Sequence, residues 1–333
     1  MKILLVFVLL VMSVSDVYAL EFSGQSYVVM ETESKNVIES YNQNHTQSVA
    51  SISKIMTAII AIENGKMNDV YTIGDEVNDA WGSGVYIHTG DKITLCDLLY
   101  GVLLRSGNDA CLTLAKNIAG DVETFVDMMN KKAKELGMNN TVFSNPTGLD
   151  EEDNGNVSSA YDMALLMSYC SLNPIFNDIV STKEYVRKDG NGIWHNKNRL
   201  LSEYKYCVGG KTGYTKKAKR TLVTRAIKDG VSFVIVTLNC GNDFEFHKNK
   251  YEECFEKYKK YLIFPKGIYN YNGHSFVIDE DLFFYKKEDA LCYIDHDRVV
   301  LLAGYNKLKE VYSESFIHCL FSYMRMLLGD CFG

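Results

Sequence analysis

Strand-like patterns stand at both ends of a long segment of this chain, and helix-like patterns lie between them. Near its start, Ser26–Glu33 and Asn36–Tyr41 alternate well enough to form a strand pair. Near its end, residues 221–227 and 231–238 are two β-rich runs separated by a short turn. This order predicts an α+β fold, in which the N- and C-terminal pieces close one antiparallel sheet and a helical cluster packs beside it.

The middle of the segment repeats apolar residues at helical spacing. The pattern predicts helices at Ser48–Glu63, Leu95–Leu104, Asp109–Ile118, Val122–Leu136 and Ala160–Cys170, and a last helix near His247–Leu262.

A breaker cluster at residues 264–267 predicts the end of a main domain, which we assign to residues 20–265. Residues 266–312 contain short strand-like runs and are predicted to form a small β-rich appendage. The tail, residues 313–333, includes Ser315–Leu328, whose apolar side chains fall along one helical face. Such an amphipathic helix either contacts a membrane surface or docks on its own protein.

The first residues predict export. Residues 1–19 combine a positive start, an apolar run from Ile3 to Val14, and small residues at Val17 and Ala19, where a signal peptidase reads them. A run this short is typical of a signal peptide, with an uncleaved anchor as the alternative. Either one predicts a protein that works outside the cytoplasm, at the cell wall or the outer face of the cytoplasmic membrane.

Net charge and cysteine spacing limit the kinds of ligand that we expect this chain to bind. A net charge of −7 gives no reason to expect nucleic-acid binding, which needs a basic face. The nine cysteines are irregularly spaced, with no CxxC pair and no His/Cys pairing at zinc spacing. We interpret most of them as buried thiols, and we predict neither a metal site nor a cofactor.

Three short motifs carry the chemistry. The first, Ser51-Ile52-Ser53-Lys54, stands at a helix start, where residues three apart share one face. A serine hydroxyl becomes nucleophilic when a neighbour takes its proton, and a lysine can do so once burial lowers its pKa. The helix N-terminus directs N–H groups at a developing oxyanion. Alone, this spacing is common at ordinary helix starts.

The second motif is Ser106-Gly107-Asn108, between two helix-like runs, where Ser106 could relay a proton and Asn108 could hold a carbonyl or Lys54. By itself, such a tripeptide is an ordinary turn.

The third motif is Lys211-Thr212-Gly213, followed by Tyr214-Thr215. A lysine and hydroxyls on a strand edge suit a terminal carboxylate, and Gly213 leaves room for a close backbone approach. The simpler interpretation of this motif is a solvated basic turn.

Together and in this order, the motifs resemble the S-x-x-K, S-D-N and K-T-G signature of class A β-lactamases and penicillin-binding proteins, with Gly107 at the middle position of the second motif. Over roughly residues 24–262 the chain resembles the D-alanyl-D-alanine carboxypeptidases, the low-molecular-mass penicillin-binding proteins. Asn145-Pro146-Thr147-Gly148-Leu149-Asp150 is similar to that family's N-P-x-G-L-D segment, and residues 90–104 are similar to the lead-in to its second motif. Lys219 departs from the family pattern, which has a small residue there.

The resemblance implies a β-lactamase/transpeptidase-like fold with a sheet of about five strands. It implies that Ser51 forms an acyl-enzyme with Lys54 as its base, assisted by Ser106 and Asn108. Lys211, Thr212 and Thr215 would bind the substrate's terminal carboxylate beside Gly213, and the N–H groups of Ser51 and Tyr214 would form the oxyanion hole. The list of site residues is then Ser51, Lys54, Ser106, Asn108, Lys211, Thr212, Gly213, Tyr214 and Thr215.

The implied reaction removes D-alanine from peptidoglycan stem peptides ending in D-Ala-D-Ala, and β-lactam antibiotics would be covalent inhibitors. The resemblance also favours membrane contact for Ser315–Leu328, since such tails are common in the family. Two alternatives stay open. A β-lactamase would need fast attack of water on the acyl-enzyme. Class A enzymes use an additional glutamate for this step, and no E-x-x-L-N-like segment stands between Ser106 and Lys211. The other alternative is a catalytically silent wall-binding protein, and the presence of every motif residue argues against it.

Overall fold

The computed structural model describes most of the chain's backbone. The described ranges are 22–150, 155–188, 190, 192–259, 261–271, 274–278, 281–284, 290–295, 298–303 and 306–312. The predicted signal peptide and the amphipathic tail lie outside these residues.

The α-helices in chain order are α1 (Lys54–Asn64), α2 (Leu95–Tyr100), α3 (Asn108–Ala119), α4 (Val122–Glu135), α5 (Ala160–Cys170), α6 (Pro174–Ser181), α7 (Leu200–Glu203) and α8 (Asp243–Lys257). The strands up to residue 238 are β1 (Ser26–Glu31), β2 (Val37–Tyr41), β3 (Gln47–Ser48), β4 (Val70–Thr72), β5 (Lys92–Thr94), β6 (Val157–Ser158), β7 (Glu184–Val186), β8 (Ile193–His195), β9 (Cys207–Thr215), β10 (Lys219–Lys228) and β11 (Val231–Leu238). The later strands are β12 (Tyr261–Phe264), β13 (Gly267–Tyr271), β14 (His274–Ile278), β15 (Leu282–Phe284), β16 (Ala290–Asp295), β17 (Arg298–Ala303) and β18 (Asn306–Tyr312).

The main sheet has the strand order β2-β1-β11-β10-β9, and every pair in it is antiparallel. The N-terminal strand β1 therefore lies beside the late strand β11, with Val28 opposite Val236. This closure confirms the predicted α+β fold and its five-stranded antiparallel sheet.

Helices cover both faces of this sheet, which explains why all eight residues of β11 are buried. Val234 and Val236 face a core that includes apolar residues of α1 to α6. Phe233 and Ile235 face a second core with Phe246 and Tyr251 of α8. Because side chains alternate along a strand, a strand buried on both faces shows a continuous apolar run.

Several predicted helices differ from the observed ones at their ends. The helix predicted from Ser48 begins at Lys54, because a 3-10 turn at Ala50–Ser53 precedes it. The helix predicted at Leu95–Leu104 is α up to Tyr100 and continues as a π-helical turn at Gly101–Arg105. Sequence periodicity cannot separate these turns from an α-helix because the apolar spacing is nearly the same.

The end of the main domain also differs from the predicted pattern. The helix predicted near His247–Leu262 ends at Lys257, because Tyr261–Phe264 is a strand paired with Leu282–Phe284. Strand pairing thus begins before the breaker cluster at 264–267. The other late strands form a β13-β14 pair and a β16-β17-β18 sheet, in accord with the predicted short strands, while the domain boundary itself stays a prediction.

The state of the cysteines and the length of the helices can also be compared with the sequence-based predictions. Cysteines with described side chains are free thiols, and all except Cys96 are buried, which confirms the predicted buried thiols for these residues. Across the described ranges, no helix combines the length and apolar character needed to cross a bilayer.

Candidate active site

Lys54 contacts both Ser51 and Asn108. Lys54 Nζ donates to Ser51 Oγ at 3.0 Å and to Asn108 Oδ1 at 2.7 Å. Ser51 lies in the 3-10 turn that precedes α1, and Lys54 is the first residue of α1, while Asn108 begins α3. The two motifs that are distant in sequence therefore meet at one ammonium group.

Burial changes the acid strength of Lys54. Its side chain is fully buried, and this desolvation, aided by the charge of Lys197, lowers its pKa to about 8 from an ordinary value of 10.5. An amine with a pKa near 8 is partly neutral near physiological pH, and only the neutral form can accept a proton. The structure therefore places an amine that can be neutral at 3.0 Å from the Ser51 hydroxyl.

A third partner of Lys54 comes from the loop at residues 145–150. The ammonium donates to the carbonyl oxygen of Thr147, and Asn145 Oδ1 holds that turn by accepting from the N–H groups of Thr147 (3.1 Å) and Gly148 (2.7 Å). Gly148 has a φ of +77°, and a Cβ there would overlap the carbonyl oxygen of Ala50. Only glycine lets the loop lie this close to the residue before Ser51.

The backbone around Ser51 is itself unusual. Ala50 adopts a φ of +52°, in the left-handed region that non-glycine residues rarely occupy. Strain of this kind costs about 1–3 kcal/mol and persists where surrounding contacts impose it, often at functional sites. Here the contacts are Ser53 Oγ, which donates to Ala50 O at 2.9 Å, and the adjacent Gly148.

The third motif lies on β9, the edge strand of the main sheet, directly beside Ser51. A Cβ on Gly213 would lie 3.0 Å from the Ser51 nitrogen, so the β9 backbone passes next to that amide. Tyr214 and Thr215 line the same cleft as Ser51. Because β9 is an edge strand, part of its backbone is free to pair with a ligand.

Lys211 is almost completely buried, and its Nζ donates to the carbonyl oxygen of Thr212 at 2.8 Å. Burial, together with the nearby charge of Lys54, holds the pKa of Lys211 well below its usual range. A bound anion would offset both effects, because an opposite charge favours the ammonium form. Lys211 is therefore suited to pair with an anionic group.

Thr215 is already hydrogen-bonded within the protein. Its hydroxyl donates to the carboxylate of Asp150 and accepts from the N–H of Ala218 at 2.9 Å. The other oxygen of Asp150 accepts from Ser48 Oγ at 2.6 Å. The sequence did not assign Asp150 to the site, although it falls within the Asn145–Asp150 segment.

Ser106 is buried and takes a left-handed conformation, with a φ of +66°, where the π-helical turn meets α3. Lys219 likewise has a φ of +56°, a conformation that glycine adopts more readily than lysine. Sequence patterns alone could not reveal either backbone conformation.

The cleft above Ser51 has a volume of about 730 Å³. It is lined by Ser51, Trp81, Gly82, Ser83, Gly84, Tyr86, Arg105, Asn108, Leu149, Asp150, Lys197, Tyr214, Thr215, Lys216 and Lys217. Basic residues outnumber acidic ones in this lining, as suits an anionic substrate. Residues 81–86 form one wall of this cleft. Sequence analysis did not predict this wall, Arg105 or Lys197 as part of the site, because long-range packing brings them to the cleft and no local motif marks them.

Comparisons with known proteins find relatives that match most of this chain. A family profile described as D-alanyl-D-alanine carboxypeptidase matches residues 12–242. The D-alanyl-D-alanine carboxypeptidase DacF of Bacillus subtilis (strain 168) is 36% identical over 237 residues, which cover 68% of this chain and 60% of the relative. The match thus spans less than two thirds of that relative's length.

Solved structures share the fold. A D-alanyl-D-alanine carboxypeptidase from Mycobacterium tuberculosis H37Rv superposes with a TM-score of 0.67 at 28% identity, covering 71% of this chain and 92% of that one. Penicillin binding protein 5 from Haemophilus influenzae reaches a TM-score of 0.76 at 22% identity, covering 88% of this chain and 97% of that one. The β-lactamase/transpeptidase-like fold that the resemblance implied is confirmed.

Proposed function

Because the chain belongs to the D-alanyl-D-alanine carboxypeptidase family, we propose that it removes the terminal D-alanine from cell-wall stem peptides ending in D-Ala-D-Ala. The observation that carries this proposal is the contact of 3.0 Å between Lys54 Nζ and Ser51 Oγ, with Lys54 buried and its pKa lowered to about 8. A serine beside a lysine that can be neutral is an activated nucleophile.

The proposed acylation begins when Ser51 Oγ attacks the carbonyl carbon between the two D-alanines and Lys54 takes the hydroxyl proton. Negative charge then develops on the carbonyl oxygen, where the N–H groups of Ser51 and Tyr214 are proposed to stabilise it. The bond to the leaving nitrogen breaks as that nitrogen receives a proton through Ser106. D-alanine departs, and the shortened peptide remains as an ester on Ser51.

Deacylation reverses the roles. A water molecule attacks the ester carbonyl, gives a proton to Lys54, and the returning proton restores the Ser51 hydroxyl. Asn108 is proposed to keep Lys54 aligned in both steps, since its Oδ1 accepts from the ammonium at 2.7 Å. Lys211 and Thr212 are proposed to bind the terminal carboxylate of the leaving D-alanine, beside the narrow approach at Gly213.

A β-lactam antibiotic resembles the D-Ala-D-Ala end and is proposed to acylate the same serine. The decisive test is mass spectrometry of the purified protein after incubation with penicillin, beside a Ser51→Ala control. We expect an adduct on Ser51 that the control lacks, and release of D-alanine from a synthetic pentapeptide by the wild type only. Rapid penicillin turnover without a lasting adduct would favour a β-lactamase, and neither adduct nor turnover in a folded sample would favour a silent binding protein.

The proposed substrate places the enzyme outside the cytoplasm, at the cell wall. Residues 1–19 are proposed to serve as the export signal and Ser315–Leu328 to contact the membrane surface. Both segments lie outside the described residues, so the support for these proposals is their sequence pattern. Cell fractionation of the full chain, with and without residues 315–328, tests the second proposal.

A further inference from the structure

Exposed aromatic side chains are concentrated at the cleft. Among residues whose side chains are described, the exposed aromatic ones are Tyr41 (52%), Trp81 (57%), Tyr86 (77%) and Tyr214 (63%). All except Tyr41 line the cleft beside Ser51. Clustered exposure of large aromatic rings in a concave site is typical of a ligand-binding surface.

The wall of the cleft at residues 81–86, which carries Trp81 and Tyr86, is hydrogen-bonded to the first residues of α3. The N–H groups of Val85 (3.0 Å) and Tyr86 (2.7 Å) donate to the buried carboxylate of Asp109. Asn108 Nδ2 donates to the carbonyl oxygen of Trp81 at 2.6 Å. The wall is therefore tied to the start of α3.

Tyr86 is fixed in a costly backbone conformation. Its φ of +61° lies in the left-handed region, which costs a non-glycine residue roughly 1–2 kcal/mol. The Asp109 carboxylate imposes this conformation, and the ring is left exposed to solvent. Because the backbone at Tyr86 is held in place, its exposed ring has a fixed point of attachment at the cleft, which lowers the cost of ordering this segment around a ligand.

A second cavity, of about 450 Å³, adjoins the cleft along this wall. Both share Trp81, Gly82, Ser83, Gly84 and Tyr86, but the second extends away from Ser51 to His88 and Thr89. Its lining mixes the aromatic rings with hydroxyl, amide and imidazole groups, including Asn78. Such a lining matches a ligand with one apolar face and hydroxyl groups at its edge.

We propose that Trp81 and Tyr86 form a subsite for the sugar that carries the stem peptide in the cell wall. This inference rests on the proposed function: the leaving D-alanine is small and ends the chain, so a binding surface beyond the motifs serves the acyl side of the substrate. The far end of the stem peptide, several residues from the scissile bond, is joined to an amino sugar, whose ring has an apolar C–H face for stacking and hydroxyls for hydrogen bonds.

The test compares two substrates that differ only in the sugar: a pentapeptide ending in D-Ala-D-Ala, and the same pentapeptide attached to N-acetylmuramic acid. We expect the wild type to show a kcat/KM about fivefold to tenfold higher for the sugar-bearing substrate, the size of one aromatic stacking contact. Trp81→Ala and Tyr86→Ala should bring this ratio close to one. Tyr41→Ala, which removes an exposed ring away from the cleft, should keep the wild-type ratio.

Two outcomes would contradict the sugar subsite. A wild-type ratio of one, or losses in Trp81→Ala that are equal for both substrates, would overturn the sugar subsite and leave the carboxypeptidase proposal standing. Failure of the wild type to release D-alanine from either substrate would overturn both proposals. Circular dichroism of each variant shows whether a loss reflects unfolding, and the conservative Tyr86→Phe variant should retain the sugar preference because stacking needs the ring alone.

Discussion

The hydroxyl of Thr215 donates a hydrogen bond to the carboxylate of Asp150, joining the end of β9 to the loop that lies against Ser51. Asp150 also accepts from Ser48, so one carboxylate connects the third motif, the 145–150 loop and the segment before the nucleophile. The resemblance implied that Thr215 binds the substrate's carboxylate. The structure adds that this hydroxyl is bonded to Asp150, and the carboxylate-binding role of Thr215, like that of Lys211 and Thr212, stays a prediction.

Thr215 and Asp150 are expected to act as one unit. Thr215→Val and Asp150→Ala should each lower the free energy of unfolding by about 1–3 kcal/mol, the usual effect of losing a hydrogen bond to a charged group. The double variant should lose clearly less than the sum, because the second change removes a partner that the first has already lost. Urea unfolding of the four proteins measures this coupling, and strict additivity would show that the contact contributes nothing.

The pH dependence of acylation should follow Lys54. Its pKa is lowered to about 8, and the neutral base forms as the pH rises. The rate of penicillin acylation should therefore increase through pH 8 and level off above it. Lys54→Arg keeps the charge but cannot lose its proton, so its rate should fall about 10²–10⁴-fold, the range of general-base catalysis. Stopped-flow measurement from pH 6 to 10 tests both statements, and a flat wild-type profile would exclude Lys54 as the base.

Sequence patterns predicted the sheet and most helices because the apolar spacing of strands and helices is local. Ser51, Lys54 and Lys211 were also identifiable, since their motifs are short and ordered along the chain. The roles of Asp109, Asp150 and Trp81 were not, because each depends on a contact across more than twenty residues that no periodicity records. The left-handed conformations of Ala50, Ser106 and Tyr86 were hidden for a different reason: these residue types ordinarily avoid that region.

Substitution of Gly148 and of Gly137 by alanine separates the energetic cost of a positive φ from the cost of steric overlap. Their φ angles are similar, +77° and +75°, but a Cβ on Gly148 would overlap Ala50 O whereas one on Gly137 meets nothing within 4 Å. Gly137→Ala should therefore cost only the conformational penalty, about 1 kcal/mol. Gly148→Ala should cost several kcal/mol and also reduce acylation of Ser51, because Ala50 must move. Equal free energies of unfolding for the two variants would mean that the 145–150 loop moves to accommodate the Cβ without disturbing Ser51.

Lys219 is expected to be replaceable with a gain in stability. It has a φ of +56° and its side chain is exposed. Lys219→Gly removes the left-handed penalty, so the free energy of unfolding should rise by up to about 1 kcal/mol. The matched change Lys228→Gly, at the other end of β10, should lower it instead, since no positive φ is relieved there. Thermal unfolding of both variants compares them directly, and a loss in Lys219→Gly would contradict the expectation.

His247 should make the protein less stable in mild acid. The imidazole is fully buried between α8 and the sheet, where Nδ1 contacts Thr224 Oγ1 at 2.7 Å and Nε2 contacts Thr237 Oγ1 at 3.0 Å. Burial lowers its pKa from 6.5 to about 3. Between these values the unfolded chain binds a proton that the folded protein refuses, so stability falls as the pH drops from 6.5 toward 3.

The size of this effect follows from one proton, about 1.4 kcal/mol per pH unit within that window. His247→Gln keeps a hydrogen-bonding side chain but cannot titrate, so its stability should fall less steeply with acid than that of the wild type, even if it is lower at pH 7. Carboxylates also titrate in this range, and they cancel in the difference between the two proteins. His88→Gln is the control for the substitution itself, because the His88 side chain is 80% exposed. If the free energy of unfolding fell equally steeply with acid in His247→Gln and in the wild type, the core would have to accommodate a charged imidazole. A buried site formed by two hydroxyls and apolar side chains should not allow this.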